Sequence, residues 1–357
     1  MMDEPQTTEE AARRLLELAV SGFDDWASLG DIRASRDGDL LLLNYTTAAQ
    51  YARHWNTYEL ACRGLVLDAR EGMIVARSFD KFFNWGEGGR TTDAPISYVQ
   101  EKMDGSLIIA FWHDGRYRAV TRGSFTSPQA AWAEQQLAGR FAGIQACWTL
   151  LFEAVYPENR VVVDYGGRSG LYLLAMRHRA TGAYAPLDFV RTVASSEDPP
   201  FPLPVVYDRL DTVDGIQQAL SGMTANEEGF VAVFEDGSRF KFKSAAYLEL
   251  HKALSGLSFK NTVEAVRDGR VDDVRQIIPE EFLVEFNDWV DRIEKTVEDI
   301  VVAVEVAMSR SPVGNRKEFA AWALGQPEII RPYLFARLDG KDIKQMIFHI
   351  AFKDIKA

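Results

Sequence analysis

The sequence predicts an α+β protein: a mostly antiparallel, sheet-rich domain over residues 1–249, followed by an all-α domain over residues 250–357. Three observations carry this. From about Leu40 to Lys243, short apolar or alternating runs follow one another with turn residues between them. Asp114-Gly115 and Asp236-Gly237 sit between such runs as hairpin turns do, and two-residue turns join antiparallel strands. After Ser244 the runs lengthen and their apolar residues recur at the helical spacings of three and four.

Taken in order, Thr7 and Glu10 have capping-box spacing, and Ala11 to Leu18 follow with helical periodicity. Strands are expected at Leu40 to Tyr45, Arg63 to Asp68, Met73 to Arg77, Ile96 to Val99, Leu107 to Trp112, Trp148 to Val155 and Leu171 to Met176. The stretch Pro199 to Pro204 reads as a surface connection within the first domain. Helices are expected at Ala245 to Ser255, Asn261 to Asp268, Pro279 to Met308, Arg316 to Leu324 and Gly340 to Phe352. In the third of these, Trp289, Ile293, Val297, Ile300 and Val304 form one apolar face. Strand signals stop near residue 250, so no OB-fold is expected behind the first domain.

Composition narrows the class. With 47% hydrophobic and 26% charged residues, the 357-residue chain reads as a soluble globular protein of two domains. No run approaches the roughly 20 apolar residues of a membrane helix, and the acidic start MMDEPQTTEE does not read as a signal peptide. Cys62 and Cys147 form neither a CxxC pair nor a histidine cluster, which fits a reducing, cytoplasmic compartment. A net charge of −12 argues against a basic nucleic-acid coat protein but not against an enzyme with a locally positive surface. The charge is uneven. Glu249 to Ser309 holds 14 acidic and 7 basic residues, whereas Arg310 to Ala357 holds 5 and 9. That basic end suits either a phosphate backbone or a solvated helix face.

The chemistry gathers around Glu101-Lys102-Met103-Asp104-Gly105-Ser106, which contains KxDG between two expected strands. A lysine fixed at such a turn is partly desolvated, and desolvation with nearby cations favours the neutral amine that attacks phosphorus. An ordinary exposed hairpin is the competing reading. Lys241 and Lys243 alternate with Phe240 and Phe242, so a strand points both ammonium groups to one face and both rings to the other. Two cations aimed at one place suit a phosphate, and a half-exposed amphipathic strand explains the same pattern. Glu228 opens the apolar run Gly229 to Val233, where a carboxylate suits Mg²⁺ or a solvated turn. Glu153 lies among Leu151, Phe152, Ala154 and Val155, and an acid in so apolar a strand needs a partner. Arg63 and Lys81 sit in strand-like segments before Lys102 and suit phosphate or sugar hydroxyls, or an ordinary surface. Phe82, Phe83 and Phe230 are candidates for stacking on a base, although aromatics at such positions are more often core.

These strings occur in one order: CRGLVLD (62–68), KFFNWGE (81–87), EKMDGSL (101–107), TRGSF (121–125), FEAVYPENRVVV (152–163), EEGFVAVFEDG (227–237) and FKFKSAAYLELH (240–251). Together they resemble the covalent nucleotidyltransferases, and within them the bacteriophage RNA ligase 1 family of RNA-repair enzymes, from about Cys62 to His251. The resemblance implies a nucleotidyltransferase (adenylation) domain in which Lys102 carries AMP covalently. It implies that Lys241 and Lys243 hold the α-phosphate, Glu228 faces a divalent metal, and Glu153 bonds the adenosine ribose. Arg63 goes to the nucleotide or RNA side and Lys81 to the triphosphate. Glu101, Gly105, Phe83 and Phe230 join the nucleotide-binding set. Arg122 stands where the family often carries lysine, and arginine is not a simple replacement.

The implied activity joins RNA 5′-phosphate and 3′-hydroxyl ends with ATP and Mg²⁺, or Mn²⁺. A nicked tRNA is the implied substrate, the helical domain an implied RNA-binding element, and an end-healing kinase-phosphatase a plausible partner. Two other readings stay open. One is a DNA ligase or capping-type guanylyltransferase, and the other is a non-catalytic protein that binds RNA ends.

Overall fold

In a computed structural model of the chain, residues 4–52, 54–140, 146–278, 282–312 and 314–352 are described. The chain divides into two compact units, Met1–His251 and Lys252–Ala357. No helix among the described residues is long and apolar enough to cross a membrane.

The first unit is built on three four-stranded sheets. Helix α1 (Thr8–Val20) starts at Thr7, whose hydroxyl accepts the Glu10 amide. The Glu10 carboxylate accepts the amide of Gln6 rather than that of Thr7, so the box closes one residue early. Strands β1 (Ile32–Asp37), β2 (Leu40–Tyr45), β3 (Arg63–Asp68) and β4 (Met73–Ala76) form the first sheet in chain order, all antiparallel. Between β2 and β3 lie the short helices α2 (Thr47–Ala52) and α3 (Thr57–Ala61). Strand β2 is buried on both faces, which is why it reads as a continuous apolar run. Leu41 and Leu43 pack under α1, while Leu40 and Leu42 pack against Ile109, Phe111 and Leu151 of the second sheet.

That second sheet runs β10 (Gly170–His178), β9 (Trp148–Val155), β7 (Ser106–His113), β8 (Arg116–Val120), again antiparallel. Helices α4 (Pro128–Leu137) and α5 (Leu187–Ser196) cover its outer face through Ala133, Leu137, Val190 and Val193. The proline stretch expected on the surface is packed instead. Phe201 is 5% exposed and enters this core, and the Pro202 carbonyl accepts the Leu173 amide. The third sheet runs β5 (Phe83–Asn84), β12 (Arg239–Lys243), β11 (Gly229–Phe234), β6 (Ile96–Glu101), with β5 parallel to β12. Helix α6 (Val213–Ser221) and Trp85 close its apolar side.

A buried ion pair ties the segment before β5 to β10. The Arg177 guanidinium is 1% exposed, meets both Asp80 oxygens at 2.7 Å, and donates to the Ser78 carbonyl. Glu9 of α1 adds a second carboxylate at 3.5 Å.

Helix α7 (Ala245–Leu254) follows β12. The described residues beyond it carry helices α8 (Phe259–Arg267), α9 (Val271–Ile277), α10 (Leu283–Met308), α11 (Arg316–Leu324), α12 (Arg331–Leu338) and α13 (Ile343–Ala351), and no strand. The expected helix start at Pro279 lies outside the described residues. On α10, Phe286, Val290, Ile293, Val297, Ile300 and Val304 are the buried stripe, and Trp289 packs at its edge.

Candidate active site

Strand β6 delivers Lys102 to the end of the third sheet, where the Lys102 amide donates to the Gly229 carbonyl at 2.9 Å. The turn that follows is held from three sides by Asp104, which is 6% exposed. Asp104 Oδ2 accepts the amides of Val162 and Val163 at 2.8 and 2.7 Å, and Oδ1 accepts the Tyr247 hydroxyl at 2.9 Å. The Asp104 amide donates to Tyr165 Oη at 2.8 Å. Gly105 lies against β9 so closely that a Cβ would stand 2.4 Å from the Ala154 carbonyl oxygen, and only glycine fits. The lysine is thus carried by a turn with little freedom.

Lys102 Nζ lies 2.8 Å from Glu228 Oε2, and Lys243 Nζ lies 3.6 Å from Glu228 Oε1. Glu228 is 4% exposed, so its charge is compensated by ammonium groups rather than by water. The next residue, Gly229, has φ +140, and its Cβ would stand 1.9 Å from the Phe242 carbonyl oxygen. Side-chain-free backbone there lets β11 pair with β12 and brings Gly229 opposite Lys243 and Val231 opposite Lys241. Phe240 and Phe242 are buried, while Lys241 and Lys243 stand half-buried on the other face. Lys241 Nζ and the Arg63 guanidinium flank one ring, Phe82, at 5.2 and 5.7 Å. Arg63 Nη1 is buried with no hydrogen-bond partner among the described residues.

Glu153 on β9 belongs to the same neighbourhood. Burial pushes its carboxyl up to about 8; Lys102 draws it down, Glu228 and Asp104 raise it, and Arg63 draws it down. Near neutral pH this acid therefore keeps its proton, and with it the ability to donate as well as accept a hydrogen bond.

Of the other sequence candidates, Glu101 ends β6, and its amide donates to the Val205 carbonyl at 2.8 Å. Phe230 is 2% exposed and lies in the sheet core, edge-on to Tyr207 at 5.0 Å. Phe83 is buried beside Lys81, and Lys81 Nζ sits among the rings of Tyr45, Trp55 and Phe83. Arg122 donates to the Tyr45 hydroxyl at 2.7 Å. A cleft beside Lys102 and Glu228 is lined by Val163, Tyr165, Tyr207 and Met223. Sequence reasoning missed Asp104, Tyr165 and Tyr247 as the framework of the turn, because the contacts join residues up to 143 positions apart.

No cluster of three acidic, histidine or cysteine side chains among the described residues could hold a metal alone. Mg²⁺ commonly takes one or two carboxylates and completes its shell with phosphate oxygens and water, and Glu228 suits that pattern.

The arrangement is one lysine on a rigid turn, a carboxylate it shares with a second lysine, and further cations around them. The family model described as RNA ligase matches residues 61–247, which include every one of these groups. This chain belongs to that RNA ligase family. Over 281 residues this family member is 27% identical to a putative bifunctional polynucleotide kinase/RNA ligase of Autographa californica nuclear polyhedrosis virus, covering 70% of this chain and 39% of the relative. It is 33% identical over 141 residues to RNA ligase 1 of bacteriophage TS2126, covering 34% of this chain and 35% of the relative. It therefore spans less than half the length of either relative. Among solved structures, an archaeal ATP-dependent RNA ligase (form 2) aligns with a TM-score of 0.48 at 14% identity, over 91% of this chain and 96% of that one.

Proposed function

We propose that this RNA ligase family member is an ATP-dependent RNA ligase that joins 5′-phosphate and 3′-hydroxyl RNA ends through a lysyl-AMP intermediate. The observation that supports it best is the Lys102–Glu228–Lys243 arrangement, with Glu228 Oε2 at 2.8 Å from Lys102 Nζ. On this reading residues 1–249 form the adenylation domain, and residues 250–357 contribute RNA contacts.

Lys102 becomes a nucleophile when its ammonium gives up a proton. Its Nζ then forms a P–N bond to the α-phosphorus of ATP while the bond to the β-phosphate oxygen breaks and pyrophosphate leaves. In the second step a 5′-phosphate oxygen of RNA displaces the lysine, which regains its proton. In the third, a 3′-hydroxyl attacks that 5′-phosphorus, AMP departs, and a phosphodiester remains. The same α-phosphate is held through the first two steps, so Lys241 and Lys243 serve both by neutralising its charge. Arg63 has an unused buried donor for the nucleotide, and Glu153, protonated below about pH 8, can bond both ways to a ribose diol. Glu101 and Gly105 border the nucleotide through their backbone. Phe230 lies in the sheet core at 2% exposure, so it backs the site rather than offering an open face to the base. Glu228 would hold Mg²⁺ or Mn²⁺, which supplies charge neutralisation on phosphate oxygens when bound. The reading extends to a cytoplasmic RNA-repair role on broken tRNA, with a kinase-phosphatase that prepares the ends.

The test is a denaturing gel after incubation with Mg²⁺ and α-labelled ATP or, in parallel, α-labelled GTP. Label from ATP alone, lost in Lys102→Ala, is expected, and Lys102→Ala should still seal pre-adenylated RNA. No label from either nucleotide on folded, AMP-free protein would sink the reading, and label from GTP alone would move it to the capping-type enzymes.

A further inference from the structure

Three polar residues lie in one row across the first sheet. Arg33 on β1 stands opposite Asn44 on β2, and Asn44 stands opposite Arg63 on β3. Residues directly opposite on antiparallel strands share a face. The register shifts between Leu43 and Asn44, and Gly64, at φ +88, is the extra residue of the bulge that sets Arg63 there. Gly123 lies against the row: a Cβ on it would collide with Arg33 Nη2 and stand 3.5 Å from Asn44 Nδ2.

The row holds bonding capacity that the fold does not use. Asn44 is 2% exposed, and its Oδ1 has no hydrogen-bond partner among the described residues. Arg63 Nη1 is a buried donor in the same condition. The two belong to register neighbours and still do not bond one another. A buried acceptor and a buried donor left unmade both weaken the fold, so their retention calls for a ligand. The charges agree. Arg36 on the same strand meets Asp24 at 2.9 Å, and Arg118 on β8 meets Asp37 at 2.6 Å. Arg33 and Arg63 have no carboxylate in ion-pair contact among the described residues, in a chain whose net charge is −12.

A group that satisfies Asn44 Oδ1 and Arg63 Nη1 together must donate and accept at once. A hydroxyl does so, whereas a phosphate oxygen only accepts. Arg33 adds a cation beside that hydroxyl, and it is exposed on a long stem, so its guanidinium can move onto a phosphate and open Asn44. A hydroxyl next to a phosphodiester is what ribose brings and deoxyribose lacks. The Arg63 charge also acts on Glu153, as the Lys102 charge does, so the row ends at the reacting groups. Nη1 carries a pair of N–H groups, and one can meet the nucleotide while the other meets the hydroxyl.

We propose that Asn44 and Arg63 hold the 2′-hydroxyl of the 3′-terminal ribose of the acceptor RNA, with Arg33 on the adjoining phosphate. Asn44 Oδ1 accepts from that hydroxyl and Arg63 Nη1 donates to it. The attacking 3′-hydroxyl is the next oxygen on the same ring, so the contact both places it and selects RNA over DNA at this end. This rests on the ligase reading of Lys102. It adds Arg33 and Asn44, which lie outside every motif string of the sequence.

The experiment seals a pre-adenylated RNA strand to acceptors that end in ribose or in a single 2′-deoxyribose, using wild type, Asn44→Leu and Arg33→Ala. Wild type should seal the ribose end about tenfold faster, the scale of one or two hydrogen bonds in which a charged group takes part. Asn44→Leu should slow the ribose end about tenfold and leave the deoxyribose end within about twofold of wild type, so that the preference disappears. Arg33→Ala should slow both ends alike and lower the salt slope by about one, as a phosphate contact does. The Tm of Asn44→Leu should not fall, because the atom removed has no partner to lose. If leucine does not fit beside Gly123 and the protein fails to fold, Asn44→Ala carries the comparison. No preference in wild type overturns the proposal, and so does a preference that survives in Asn44→Leu or an equal loss on both ends. It also falls if Asn44→Leu instead abolishes a preference for ATP over 2′-deoxy-ATP in lysyl-AMP formation, since the hydroxyl held would then be the nucleotide's. If wild type neither forms lysyl-AMP nor seals pre-adenylated RNA, the ligase reading fails separately. Fluorescence anisotropy with the same acceptor strands then tests the row. It stands if wild type binds the ribose end about tenfold tighter and Asn44→Leu does not, and falls otherwise.

Discussion

Replacing Glu153 with glutamine removes one titrating group and leaves its shape. In the folded protein burial holds this carboxyl at about 8, against an ordinary value of 4.5. Folding therefore favours the protonated form. The stability this group contributes is fully present below pH 4.5 and declines as pH rises through the interval, until it is lost above about 8. Glutamine stays neutral throughout, so the stability of Glu153→Gln relative to wild type should grow as pH rises from 5 to 9. At about 1.4 kcal/mol per pH unit the ceiling is near 5 kcal/mol, and solvent reaching the half-buried carboxyl reduces this to about 2 kcal/mol. For a unit of this size that is a gain of roughly 4–8 °C in Tm at the alkaline end. Paired melts of the two proteins at each pH read the difference directly. A gap that stays constant from pH 5 to 9 would refute the reasoning. The neighbours give an internal control. Glu228 raises Glu153 and Lys102 lowers it. In a Glu228→Gln background the gap should thus level off at a lower pH and a smaller size, and in a Lys102→Ala background at a higher pH and a larger size.

Two further substitutions test the turn that carries Lys102. Tyr247→Phe leaves Asp104 Oδ1 buried without its 2.9 Å donor, and should cost about 1–3 kcal/mol in denaturant unfolding along with a slower lysyl-AMP step; unchanged stability would contradict the role of that bond. Gly105→Ala puts a Cβ 2.4 Å from the Ala154 carbonyl oxygen, and should lose about 1–3 kcal/mol and most adenylate formation; a variant with wild-type stability and labelling would show that the turn yields freely.

Much of the sheet architecture was legible because β-structure writes itself in period two. Phe240 and Phe242 are in the core and Lys241 and Lys243 on the other face, as alternation predicts. Both Asp-Gly hairpins join antiparallel neighbours, β7 to β8 and β11 to β12. Helices α9 and α12 went unpredicted because neither has a polar side-chain cap: Arg270 and Ile330 stand at their N-caps without side-chain bonds. The proline stretch was misread because composition marks it as loop, whereas Phe201 anchors it in the core. At the site, Lys102, Glu228 and the lysine pair carry local signals. Tyr247 and Tyr165 do not: each holds the turn through a contact between distant parts of the chain, and an aromatic residue there looks like any other core residue.

The buried Arg177–Asp80 pair has a consequence for how the molecule fails. Asp80 precedes Lys81 directly, and Arg177 sits on β10 in a different sheet from β5. Pulling the segment away from β10 would leave the buried Arg177 guanidinium without its bidentate partner, with the Gly182 carbonyl and Glu9 beside it, at a cost of up to about 3 kcal/mol. That is a large part of what holds a domain folded at all. The segment that carries Lys81 is therefore tied to β10, and opening it locally costs a sizeable share of the unit's stability. Heat or denaturant is then expected to release this segment and the sheets in one transition.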